Sequence, residues 1–391
     1  MDLNSYNGES YKNPAQPANV VNIVDELLTK AVETGASDIH FEPTGSDLIV
    51  KFRIDGVLET IESLPRAISD NVISRLKVLG GLLTYRNDVP QEGRMEISNG
   101  HMNVIDRRLS VFPTIYGQRA VVRIFYKNQQ LSNIEQLGFA PEIYSVLKQV
   151  TFANQGILLV TGPAGSGKST TLAAILREIQ KQFPGKSIVT LEDPVEIRLD
   201  GITQVQITPF GQMTFPTALR SLLRQDPQVL MIGEIRDAET AKIAIEAGLT
   251  GHLLMSTMHS GSVAGAILRL LEMGIEPYQV TSSVSAILNQ RLVRRLCSKC
   301  KKLTSSGGYE AVGCNECFKT GFKGRMLIAE MVRLDSQLRK AILAGTDADE
   351  IKRLLANKGN ARMYEDGLRL IAEGLTTKDE LEKVCNPAGD I

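Results

Sequence analysis

The chain has 391 residues, 43% hydrophobic and 23% charged, with 44 Lys and Arg against 44 Asp and Glu. This is an ordinary globular composition with room for about two or three domains, and it lacks the global basic excess that points to nucleic acid. No apolar run approaches the roughly 20 residues of a membrane span, so the protein is expected in the cytoplasm, with any membrane link made through a partner.

The first residues, MDLNSYNGESYKNPAQP, carry neither a basic leader nor an apolar core, so residues 1–19 read as a flexible entry rather than a signal peptide. From Val20 to Gly35 the spacing predicts a helix with Val20, Val24, Leu27, Leu28 and Ala31 on one face and Gly35 as its stop. Leu48–Ile54 alternates as a strand, with Leu48, Val50, Phe52 and Ile54 inward. Asp55-Gly56 and Asn99-Gly100 are hairpin-turn signals. Ile68–Leu79 predicts a second helix and Ala120–Tyr126 a strand. Residues 20–127 therefore read as a small α+β domain, followed by a polar linker over 128–135 (NQQLSN at 128–133).

From 136 to 391 the rhythm changes. The apolar runs ILLVT (157–161), SIVTL (187–191), VLMIG (229–233) and HLLMS (252–256) alternate with helical stretches. That pattern predicts an α/β domain whose parallel sheet is covered on both faces. Residues 330–385 read as short helices.

Gly162-Pro163-Ala164-Gly165-Ser166-Gly167-Lys168-Ser169 fits G-x-x-x-x-G-K-[ST] between the strand 157–161 and a helix over 170–182. That context separates a phosphate-binding loop from a chance glycine-rich turn. The glycines let backbone N–H groups turn toward phosphate oxygens, and the helix N-terminus, at Ser169 and Thr170, adds partial positive charge. Lys168 is expected on the β- and γ-phosphates of ATP and Ser169 on Mg²⁺.

Acids follow at two strand ends. Glu234, after Val229–Ile232, is placed to hold Mg²⁺ through water or to orient the attacking water. Glu192 and Glu196, in Glu192-Asp193-Pro194-Val195-Glu196, lie where open α/β sheets bind ligands, and one of them is a candidate general base. The alternatives are a surface acid and a solvated turn. His252 and His259 bracket the strand HLLMSTMH and are candidates for sensing the γ-phosphate, against the plainer reading of ordinary hydrogen-bonded histidines.

Cys297-Ser-Lys-Cys300 and Cys314-Asn-Glu-Cys317 are two C-x-x-C knuckles, a strong signal for a structural zinc site closed by four thiolates. Lys299, Lys301, Lys302 and Lys319 make the cluster basic. Cys385 stands alone.

The residues now resemble a family. ASDIHFEP (36–43), RIDG (53–56), PTIYG (113–117), GPAGSGKST (162–170), TLEDPVE (190–196), LRQDPQVLMIGEIRD (223–237), GLTGHLLMSTMHS (248–260), QRLVRRLC (290–297) and GFKGR (321–325) are similar, in order, to the secretion ATPase superfamily of type II secretion and type IV pilus assembly machines. The resemblance implies a RecA-like P-loop ATPase domain, a smaller mobile N-terminal domain, a zinc-binding tetracysteine insertion and a helical C-terminal part. It implies a homohexamer peripheral at the inner membrane, moving a membrane platform and meeting docking proteins. In relatives, arginines of the N-terminal domain reach the nucleotide. By motif these are Arg108 and Arg123, with Arg53 and Arg94 as weaker candidates. The cysteines tilt the resemblance toward assembly or secretion and away from pilus retraction. Gln118 departs from the glutamate usual after PTIYG, and the extra N-terminal domain through which many relatives dock is not recognised. Two other classes compete: a nucleic-acid translocase with a RecA-like core and zinc ribbon, which the balanced charge disfavours, and a non-hydrolysing scaffold, which the intact Lys168, Ser169 and Glu234 disfavour. No direct nucleic-acid partner is expected.

Overall fold

A computed structural model describes residues 17–95, 104–126, 133–208, 213–305, 307–345, 348–357 and 363–385. The Asn99-Gly100 turn, most of the entry segment and most of the linker lie outside these residues. The chain divides into two compact units, Met1–Asn128 with Val312–Lys323, and Gln129–Ala311 with Gly324–Ile391.

The first unit contains α1 (Pro17–Glu33), β1 (Asp38–Pro43), β2 (Asp47–Ile54), β3 (Val57–Pro65), α2 (Ser69–Leu79), β4 (Gln91–Arg94), β5 (Val104–Thr114) and β6 (Gly117–Tyr126). The strands form one six-stranded sheet in the order β3-β2-β1-β6-β5-β4. The expected face of α1 is buried, joined by Ile23, and packs with α2 on the inward residues Leu48, Val50, Phe52, Leu109, Val111, Ala120 and Val122. Asp55 and Gly56, with φ of 49° and 91°, close a two-residue turn that pairs Ile54 with Val57, the geometry that Asp-Gly favours.

The second unit contains α3 (Pro141–Thr151), β7 (Gly156–Thr161), α4 (Lys168–Gln182), β8 (Ile188–Glu192), β9 (Thr203–Gln206), α5 (Phe215–Leu222), β10 (Val229–Ile232), α6 (Ala238–Leu249), β11 (Leu253–Met258), α7 (Val263–Glu272), α8 (Pro277–Ser283) and β12 (Val284–Leu296). After the small ribbon β13 (Lys302–Leu303) and β14 (Tyr309–Glu310) come β15 (Phe322–Arg333), α9 (Ser336–Leu343), α10 (Ala348–Asn357), α11 (Met363–Ala372) and α12 (Lys378–Val384). The main sheet has seven strands in the order β15-β12-β7-β11-β10-β8-β9. From β12 to β9 every neighbouring pair is parallel. Ile157 and Leu159 join one apolar layer, Leu158 and Val160 the other. The four expected strands are thus central ones, apolar throughout because helices cover both faces.

One boundary is corrected. Helices were expected from residue 330, but Glu330–Arg333 end β15. Ala329 and Met331 pack in the core layer beneath α4, so tertiary burial outweighs the helix-compatible composition of this stretch.

Candidate active site

β7 is buried along its whole length and delivers the loop at residues 162–167 to the C-terminal edge of the sheet. Gly162 has φ +140°, and a Cβ there would stand 2.3 Å from the Gln290 carbonyl oxygen, so only glycine fits. Gly167, at φ +90°, precedes α4, and no side chain caps the first-turn amides of that helix. Those amides and their partial positive charge suit an anion. The hydroxyl of Ser166 is buried without a protein partner. Loop, helix end and orphan hydroxyl therefore fit a polyphosphate. Ser169 is exposed and Thr170 half-buried on the first turn of α4.

Lys168 is buried, and its Nζ donates to the carbonyls of Gly162 and Pro163 at 2.8 and 2.9 Å. Burial lowers its pKa, while the charges of Glu234 and Glu196 oppose that shift. The expected lysine and two of the expected acids therefore share one electrostatic neighbourhood. Glu234 is mostly buried between two bases: Arg236 Nε donates to it at 2.6 Å and His259 Nε2 lies 3.2 Å away. Glu192 is buried at the end of β8, where Thr190 Oγ1 (2.6 Å) and Gln204 Nε2 (3.0 Å) donate to its Oε1. Burial raises its pKa despite those bonds, which makes it a better proton acceptor than a surface glutamate. Glu196 is exposed.

His252 does not join this group. β11 runs parallel to β7 with Leu253 beside Gly156 and Met258 beside Thr161. His252 therefore precedes β11 at the opposite sheet edge, about 20 Å of strand from the phosphate loop. Its Nδ1 sits 3.1 Å from Ala247 O at the end of α6. A strand brings only one of its ends to the C-terminal edge, and here that end carries His259.

In the N-terminal unit, Arg108 and Arg123 are cross-strand partners. The pairing continues on both sides: Arg53 faces Asp38, Asp38 faces Arg123, and Arg94 faces Arg108. The four candidate arginines and Asp38 thus form one row across β2, β1, β6, β5 and β4, on the face opposite α1 and α2. Each arginine is held through Nε: Arg123 and Arg53 by Asp38 at 2.8 and 3.5 Å, Arg94 and Arg108 by Asp106 at 2.6 and 3.3 Å. A guanidinium held this way keeps Nη donors for another acceptor. Four cations against two carboxylates leave the row positive. Sequence reasoning missed both carboxylates, although Asp38 lies within ASDIHFEP.

It also missed Asn289 and Gln290, both buried on β12. Asn289 Nδ2 donates to Gly261 O and to Glu330 Oε1, each at 2.9 Å. QRLVRRLC contains Gln290, but amides in an apolar strand announce no chemistry until their partners are known.

The four cysteines come together as expected, with one sulfur from each within 4.8 Å of the others. Backbone N–H groups of Cys314 and Gly321 donate to Cys317 Sγ at 3.2 Å, and Phe318 and Lys319 take left-handed conformations to make that turn. Four converging thiols with N–H groups aimed at sulfur fit a tetrahedral thiophilic metal.

A phosphate loop between a buried strand and a helix, with acids at the same C-terminal edge following the parallel strands β8 and β10, defines a P-loop ATPase of RecA-like fold. The comparisons narrow the class. Residues 13–383 match the family model described as Type II/IV secretion system protein, and the chain belongs to that family. It is 43% identical over 376 residues to the type IV pilus assembly ATPase PilB of Thermus thermophilus, covering 92% of this chain but 42% of the relative. It is 41% identical to the putative type II secretion system protein E of Escherichia coli, covering 97% and 79%. It is 40% identical to the type II secretion system ATPase E of Vibrio cholerae, covering 94% and 75%. The ATPase DotB of Legionella pneumophila shares the fold, with TM-score 0.68 at 22% identity over 93% of this chain and 95% of that one. The pilus retraction motor PilT does so at TM-score 0.62 and 22% identity, over 93% and 97%. These relatives are named as type II secretion proteins, a type IV pilus assembly ATPase, a pilus retraction motor and an ATPase, and they give the nucleic-acid translocase reading no support. Among the described residues no helix is long and apolar enough to cross a membrane.

Proposed function

We propose that the chain is a homohexameric motor whose ATP hydrolysis powers pseudopilus or pilus assembly from the cytoplasmic face of the inner membrane, against platform and docking proteins. The buried Lys168 on the phosphate loop, with Glu192 ending β8 and Glu234 following β10 at the same sheet edge, carries this reading. Lys168 exchanges its loop carbonyls for β- and γ-phosphate oxygens. Ser169 and Glu234 are the residues to hold Mg²⁺, which neutralises charge on the transferring phosphoryl group. Glu192, or Glu196 across the same loop, accepts the proton of the attacking water. His259 keeps Glu234 oriented.

In this reading the N-terminal domain (20–127) swings on the linker (128–135) against the ATPase domain (136–391) and brings Arg108 and Arg123 to the γ-phosphate. Cys297, Cys300, Cys314 and Cys317 hold a structural zinc ion. The test is Lys168→Ala in the full chain. Turnover is expected to vanish, and with it secretion or piliation in the host; turnover at the wild-type rate would end the motor reading.

A further inference from the structure

We propose that Gln290 is a positioning residue that locks the Ser166–Gly167 peptide of the phosphate loop in its phosphate-binding orientation. Gln290 is fully buried on β12, the strand beside β7. Its Nε2 donates to Ser166 O at 2.8 Å, and its Oε1 accepts from Thr171 Oγ1 at 2.9 Å. The orientation of the amide follows from these partners: a carbonyl oxygen can only accept, so the NH₂ must face Ser166, and the Thr171 hydroxyl turns to donate.

The Ser166 carbonyl and the Gly167 N–H belong to one planar trans peptide, so they point in opposite directions. Anchoring the oxygen on Gln290 aims the Gly167 N–H away from β12, to the side where phosphate oxygens are bound. Without that anchor the peptide borders a glycine, which crosses between conformations at little cost. A flip would replace a donor with a carbonyl oxygen facing an anion. The second bond pins Thr171, whose own N–H caps Gly167 O at 3.0 Å, so one amide fixes the loop and the first turn of α4 together. The fit is close around Gln290: a Cβ at Gly162 would lie 2.3 Å from its main-chain carbonyl oxygen, and one at Gly167 would lie 3.3 Å from its side-chain Nε2. Asn is a methylene too short to reach, and Glu would set a carboxylate against the Ser166 oxygen.

The inference rests on residues 162–169 being the triphosphate site, so Lys168→Ala is run beside it. The experiment compares steady-state ATP turnover, ATP-analogue affinity and nucleotide-free melting temperature for Gln290→Leu, Thr171→Val and the double variant. Gln290→Leu is expected to raise KM and the analogue Kd roughly 10- to 100-fold, the cost of freeing a buried carbonyl and losing the lock. Thr171→Val is expected to shift them the same way by roughly 3- to 10-fold. The double variant should be no worse than Gln290→Leu, because both changes act through one amide. Wild-type KM and Kd in Gln290→Leu, or additive effects in the double variant, overturn the proposal. If Gln290→Leu does not fold, Thr171→Val decides, and wild-type affinity there overturns it. Wild-type turnover in Lys168→Ala would instead reject the site itself.

Discussion

Replacing Asp38 with Asn keeps its shape and removes the charge that holds one half of the arginine row. Asp38 is buried and accepts from Arg123 Nε and Ser37 Oγ, each at 2.8 Å, with Arg53 Nε at 3.5 Å. Hydrogen bonds to charged groups reach about 1.5–3 kcal/mol when shielded. Here the Arg123 side chain is 64% exposed and that of Arg53 35%, so water recovers part of that, leaving about 1–2 kcal/mol for the cluster. The pH dependence carries a definite sign. Burial alone would push the Asp38 carboxyl up, but the bonds from Arg123 and Ser37 and the charges of Arg123 and Arg53 outweigh it, so its folded pKa is depressed. A depressed carboxyl stabilises above its unfolded pKa of about 3.9, and that contribution fades as pH falls through the folded value. Urea unfolding should show a wild-type-minus-variant difference that is flat from about pH 5 to 8 and shrinks below about pH 4. ATP turnover should fall roughly tenfold as Arg123 loses its direction, far less than the ~10³ or more of a removed arginine finger. A variant with wild-type turnover and a normal stability loss would show that the row serves the sheet and not the nucleotide. A difference undiminished at low pH would refute the electrostatic account.

Arg108→Ala and Arg123→Ala should each lower kcat more than they weaken binding of an ATP analogue; equal loss of both would assign them a structural role. Cys297→Ser with Cys314→Ser should release one zinc per chain by elemental analysis and lower the melting temperature, whereas zinc-free wild-type protein would refute the site. His252→Ala should leave turnover at the wild-type level, while His259→Ala should lower it by freeing Glu234; the reverse pattern would overturn the placement of β11.

The phosphate loop, the strands around it and the cysteine cluster were legible because each depends on local spacing. A loop must follow a strand and open a helix, and two knuckles must recur at a fixed interval. The alternation of Leu48–Ile54 and the Asp55-Gly56 turn were legible for the same reason. What failed to show depends on register between distant strands. Which of His252 and His259 shares the edge of the phosphate loop follows only once β11 is known to run parallel to β7. The single row of Arg53, Arg123, Arg108 and Arg94 exists only in the pairing of five strands, and Asp38 and Asp106 gain meaning only from it. Glu330–Arg333 misled because a short mixed stretch such as Glu-Met-Val-Arg is compatible with helix or strand until its neighbours are placed.

β12 runs for 13 residues, with one register irregularity near Ser285, about 40 Å at the rise of a strand. Gln290 touches the phosphate loop near its middle. Farther along, Arg291 donates to the carbonyl of Val384, Arg294 grips Glu380 on α12 at 2.5 and 2.7 Å, and Leu296 N–H meets Leu375 O at 2.8 Å. Cys297 follows at once. The phosphate loop, the C-terminal helices and the first cysteine knuckle thus hang on one strand, with about 25 Å of extended chain separating Gln290 from Cys297.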